Sequence, residues 1–195
     1  MGTRNSGKAV AAYATGALLA MCATLLLAYG TGENGLRVVI RATARTSLVL
    51  FTAAYVASSL RRFLRSEATR WLLTNRRYVG LSYAVSHTLH LVAIGALAQI
   101  SPQFETAPLT LLFGGLAYAF LYAMALTSSD RAVAAMGTAS WRRLHRTGMH
   151  YNWFLFAQSY LPRAFAEPGL STGLAAVVVA GAGVRIAAYA RARSA

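Results

Sequence analysis

The fold of this chain is constrained above all by long apolar runs that alternate with short arginine-rich segments. Six runs are present, near residues 10–29, 42–60, 78–99, 108–127, 142–160 and 168–189. Each is about 20 residues long, the length that an α-helix needs to cross the hydrocarbon core of a bilayer. The sequence therefore predicts an all-α polytopic membrane protein, a six-helix transmembrane bundle that forms a single domain over residues 1–195.

Composition supports a membrane protein over a soluble one. Hydrophobic residues make up 56% of the chain and charged residues only 12%, against about 25% charged residues in soluble domains. The net charge of +14 could indicate nucleic-acid binding. However, the basic residues lie between the apolar runs, where they act as topology signals. We expect membrane lipid as their partner. We therefore expect no nucleic-acid partner.

The basic residues also predict an orientation. With the N-terminus inside, 15 of the 19 lysine and arginine residues fall in cytoplasmic segments, which places both termini in the cytoplasm. A signal peptide is the alternative interpretation of the first run. That run exceeds the usual signal-peptide core of about 7–15 apolar residues, so we expect a retained helix.

All four histidines fall into two clusters, SHTLH (His87, His90) and LHRTGMH (His145, His150). His87 and His90 are three residues apart and share a helix face. The same stripe continues through Tyr83, Ser86, Ile94 and Leu97. Polar groups are costly in a bilayer core, so they usually have a partner. Imidazoles from two helices can hold one haem iron, which needs only two protein ligands.

Depth along the helices bears on which histidines could pair. At about 1.5 Å per residue, His87 and His90 lie roughly 15 and 20 Å beyond the inner end of their helix, and His145 and His150 roughly 3 and 10 Å. Ligands of one iron should lie at similar depth, which favours His87 or His90 with His150.

Other interpretations of the histidines stay open. They could be packing or interfacial residues of a small transporter or channel, or of a membrane scaffold protein without redox activity. A bare zinc or copper ion would need further protein ligands or an open water position. The runs contain no acidic residue, and Cys22 is the only cysteine.

Three stretches resemble the ferric reductase-like transmembrane domain family. They are residues 76–81 (RRYVGL) followed by Leu89 and His90, residues 125–130 (ALTSSD), and residues 141–146 (WRRLHR). In order and spacing, the three stretches resemble the bacterial branch that includes the haem-binding membrane subunit of the periplasmic methionine sulfoxide reductase system.

This resemblance implies b-type haem between the third and fifth helices and electron transfer across the bacterial inner (plasma) membrane. His90 and His145 stand at the family's histidine positions, whereas the depth argument selects His150. Gln158 stands where many members carry another histidine, so we expect one haem b, with two as the alternative. Arg146, next to His145, is the candidate contact for a haem propionate.

The chain has no flavin or nicotinamide site of its own, because no GxGxxG follows a strand. It would therefore act only as the membrane component of an oxidoreductase. We expect a cytoplasmic-side donor, either a flavoprotein or a quinol. We expect the acceptor to be a periplasmic protein or a small molecule.

Overall fold

The computed structural model describes residues 3–166 and 168–194, with side chains from residue 7 onward. These residues form seven α-helices. They are α1 Thr3–Tyr29, α2 Glu33–Phe63, α3 Glu67–Ile100, α4 Pro108–Leu126, α5 Asp130–Met136, α6 Thr138–Ala166 and α7 Leu170–Arg191. No strand occurs among them, which confirms the all-α prediction. The predicted single domain over 1–195 also includes Met1, Gly2, Glu167 and Ala195, which lie outside the described residues.

Each predicted run lies on one long helix, but several helices begin well before the apolar residues. The second helix begins at Glu33 and the third at Glu67, because arginine and glutamate favour helix almost as well as apolar residues do. Glu33 pairs with Arg37 at 2.6 Å, and Glu67 pairs with Arg70. Acidic residues in a first turn also stabilise the helix N-terminus. The hydrogen bond from Arg37 lowers the pKa of the Glu33 carboxyl.

Two glycines end helices where the backbone turns. Gly30 follows α1 with φ +83°, and Gly137 separates α5 from α6 with φ +78°, a region that glycine enters without steric cost. The short helix α5 was not predicted. It begins where the Ser129 side chain accepts a hydrogen bond from the Ala132 amide, an N-cap interaction.

Among the described residues, four helices are long and apolar enough to cross a membrane: α1 from Gly7, α3, α4 and α7. The helices α2 and α6, which carry several arginines, are not among these four. Large apolar side chains also point outward; Leu27 is 88% exposed and Leu126 is 80% exposed. These features fit a membrane protein whose apolar surface faces lipid.

The chain divides into two compact units. The first comprises Met1–Ala54 and Thr74–Thr106, and the second comprises Tyr55–Leu73 and Ala107–Ala195. In the first, α3 packs against α2 through small buried side chains. In the second, α6 packs against α4 and α7. The approach of α6 to α4 is close, because a Cβ at Gly148 would lie 2.8 Å from the Met124 sulfur.

Candidate functional site

The first unit contains the SHTLH histidines on α3. The rings of His87 and His90 are stacked, with centroids 5.2 Å apart and planes at 16°. The Tyr83 ring lies 5.4 Å from that of His87. Tyr83, Ser86 and Leu97 are buried, so the stripe predicted from helical spacing does face the interior of this unit.

The hydrogen bonds of His90 define its tautomer. Its Nδ1 lies 3.0 Å from the Ile40 carbonyl oxygen and 3.2 Å from the Thr43 hydroxyl. A carbonyl oxygen can only accept, so Nδ1 carries the proton. The Thr43 hydroxyl donates to the Val39 carbonyl at 2.7 Å, which leaves it to accept from His90. The lone pair of the imidazole therefore resides on Nε2, as it does in metal-ligating histidines.

Buried hydroxyl groups extend this network between α2 and α3. The Ser47 hydroxyl donates to the Ser86 hydroxyl at 2.9 Å, and Ser86 donates to the Thr43 carbonyl at 3.3 Å. All three residues are fully buried. The sequence analysis missed Thr43 and Ser47. The available signal was their four-residue spacing within an apolar run, which places two small polar groups on one helix face.

His145 lies in different surroundings, in the second unit. Its Nε2 is 3.2 Å from the Thr127 hydroxyl, and its ring lies 4.2 Å from that of Trp141. Thr127 donates to the Ala123 carbonyl at 2.6 Å, so its hydroxyl accepts from His145. The Trp141 indole donates to the Thr127 carbonyl at 3.0 Å. The end of α4 and the start of α6, two stretches that carry the family resemblance, are therefore in direct contact.

His150 and Arg146 line a cavity of about 820 Å³ in the second unit. The His150 ring packs edge-on against Tyr55 with centroids 5.9 Å apart. Arg62 and Arg185 also line this cavity. Both His150 and Arg146 are exposed.

The structure thus brings His87 and His90 together, and it gives His145 and His150 separate environments. Among the described residues, no group of three or more His, Cys, Asp or Glu side chains could hold a bare metal ion. A haem requires only two protein ligands, so the absence of such a group does not bear on haem binding.

Comparisons with known proteins add no assignment. No protein-family model matches the sequence, and no curated protein or solved structure matches it.

Proposed function

We propose that this chain is a b-type haem-binding membrane subunit that passes electrons across the bacterial inner membrane. In this proposal all six long helices cross the bilayer and both termini are cytoplasmic. Four helices suited to a membrane and the bias of basic residues support it. A bound haem would supply a one-electron carrier that cycles between ferric and ferrous iron.

The observation that carries the proposal is the hydrogen-bonded state of His90. Its Nδ1–H is fixed by the Ile40 carbonyl at 3.0 Å, which leaves Nε2 as the electron-pair donor. A carbonyl on the far side of the ring also raises the basicity of the imidazole and holds its orientation. His90 is therefore the first candidate for an axial ligand.

The second ligand stays a prediction among the other three histidines. The His87 ring stacks on His90, so these two neighbours cannot present nitrogens to one iron from opposite faces. The Nε2 of His145 donates to the Thr127 hydroxyl, so the lone pair of this imidazole is on Nδ1. His150 makes no hydrogen bond with the residues that the structure describes, and Arg146 one turn before it remains the proposed propionate contact.

We propose the redox partners from where the charges of the chain lie. An electron donor on the cytoplasmic side, a flavoprotein or a quinol, would supply electrons, and a periplasmic protein or small acceptor would receive them. Most basic residues fall in the segments assigned to the cytoplasmic side. Their positive field would favour encounter with an acidic donor protein.

The direct test is the haem content of the purified chain. Protein expressed in haem-replete cells and extracted in mild detergent should show a reduced b-type spectrum. The pyridine haemochrome assay should give about one haem per chain, the number expected for a single bis-imidazole site. A colourless preparation that stays colourless after incubation with hemin would contradict the proposal.

The six-span topology has its own test. Single cysteines at Arg70 and Arg142 in a Cys22→Ser background should be labelled by a membrane-impermeant maleimide only in inside-out vesicles. A cysteine at Gln103, between α3 and α4, should be labelled only in intact spheroplasts. The positive-inside distribution requires this pattern. Labelling of Arg70→Cys and Gln103→Cys from the same side would contradict a membrane-spanning α3.

A further inference from the structure

Residues of three helices line the cavity of the second unit. On α2 it extends from Tyr55 to Arg62, on α6 from Arg146 to Phe154, and on α7 from Ala182 to Tyr189. Seven or eight residues correspond to about 10–12 Å along a helix axis. Because α2 and α7 run opposite to α6, Arg62, Arg146 and Tyr189 mark one end of the cavity. Tyr55, Phe154 and Ala182 mark the other end.

Three guanidinium groups, one from each helix, face this cavity. Arg62 donates to the Ala188 carbonyl at 3.1 Å, and Arg185 donates to the Tyr55 carbonyl at 2.8 Å. Arg185 also lies over the Tyr55 ring, 4.3 Å from its centroid. These contacts fix two of the guanidinium groups in place. Arg146 makes no hydrogen bond or ion pair with the described residues, so its guanidinium is available to a ligand.

Among the described residues, no acidic side chain lines this cavity to balance its positive charge. Glu33 and Glu67 pair instead with Arg37 and Arg70 on their own helices. Guanidinium groups bind phosphate through paired, charge-assisted hydrogen bonds. Three of them at one cavity, without an acid, therefore form a site for an anionic group.

Three large apolar side chains of the cavity lining are exposed. Phe154 is 51% exposed, Ile186 is 69% exposed and Tyr189 is 60% exposed, so the walls beside the arginines face outward. An amphiphile that keeps its chains in the bilayer needs only one covered side.

We propose that this cavity binds the headgroup of an anionic phospholipid from the cytoplasmic leaflet. Arg62, Arg146 and Arg185 contact the phosphate, and the acyl chains lie along Phe154 and Ile186. Basic cavities between transmembrane helices are typical sites for such lipids. A zwitterionic headgroup would bring its ammonium group close to three guanidinium groups with no acid to receive it. Arg146 and His150, which line this cavity, also belong to the haem proposal, so a haem propionate and a lipid phosphate are alternative occupants near Arg146. The lipid site would remain if the chain carried no haem.

The test compares lipid retention and binding. Delipidated protein is reconstituted with phosphatidylglycerol or phosphatidylcholine and examined by native mass spectrometry and by thermal unfolding. We expect about one phosphatidylglycerol retained per chain, no retained phosphatidylcholine, and stabilisation by phosphatidylglycerol only. Inorganic phosphate at millimolar concentration should not displace the lipid, because it lacks the acyl chains. Displacement by phosphate would show a free-anion site and overturn the lipid assignment.

Variants locate the site. Arg62→Gln/Arg146→Gln/Arg185→Gln should bind phosphatidylglycerol with about tenfold or weaker affinity. The matched control is Arg65→Gln/Arg131→Gln/Arg143→Gln, which has the same net charge and should bind as wild type. Arg146→Gln alone breaks no contact within the described residues, so it should fold normally and still weaken binding severalfold. Equal losses in both triple variants would show nonspecific charge attraction and contradict the site.

The haem readout separates this inference from the proposed function. If the three arginines hold haem propionates instead, their substitution lowers the haem-to-protein ratio and leaves lipid retention unchanged. That result overturns the lipid proposal and supports haem binding. A haem-free wild-type chain that retains phosphatidylglycerol would support the lipid proposal and contradict haem binding.

Discussion

His90→Ala is expected to reduce bound haem to below about one tenth of the wild-type level, because alanine offers no nitrogen to the iron. His90 is the histidine whose Nδ1–H is held by a backbone carbonyl, that of Ile40 at 3.0 Å. The substitution removes the proposed ligand, which is the imidazole that this carbonyl orients. The measurement is Soret absorbance per mole of protein, checked by the pyridine haemochrome assay.

Two comparisons separate loss of a ligand from loss of the fold. Thr43→Val removes one acceptor of the His90 N–H but leaves the Ile40 carbonyl. This variant should therefore retain haem and show a raised midpoint potential, since a less basic imidazole stabilises ferric iron less. His90→Gly should recover the spectrum when imidazole is added. An undiminished, unshifted spectrum for His90→Ala would place the ligands elsewhere in the chain.

The positions of the long helices could be predicted from the sequence, but their ends could not. Apolar runs indicate where side chains can contact lipid, and each of the six runs lies on a helix. The helices continue past those runs, and at the start of α2 the Glu33 carboxylate pairs with Arg37 one turn later. The Asp130–Met136 helix lacks an apolar run and depends on the Ser129 cap, so hydropathy does not reveal it.

The candidate site was predictable only within single helices. Helical spacing correctly placed Tyr83 and Ser86 on the inward face of α3 with the histidines. The partners of His90 are 47 and 50 residues away on α2. Finding them requires knowing which turn of α2 lies against which turn of α3, and periodicity does not contain that register. The convergence of Arg62, Arg146 and Arg185 from three helices escaped sequence analysis for the same reason.

Phe51→Ala is expected to destabilise the first unit by about 3 kcal/mol. Phe51 is 1% exposed, and its ring meets the Tyr83 ring edge-on with centroids 5.4 Å apart. A buried cavity would replace an aromatic contact between α2 and α3. In a bilayer the helices gain little from leaving water, so packing carries more of their association. Unfolding in mixed micelles with increasing denaturing detergent measures the change.

Val49→Ala is the matched control, since Val49 lies two residues away on α2 and is 57% exposed. Its truncation should change stability by less than about 0.5 kcal/mol. The effect of Phe51→Ala should extend to haem retention. Phe51, Tyr83, His87 and His90 form a continuous series of ring contacts. The Ile40 carbonyl that accepts from His90 is also on α2. Weaker packing of α2 against α3 should therefore loosen the imidazole of His90, the proposed haem ligand. Lower stability with fully retained haem would show that the orientation of His90 does not depend on that packing.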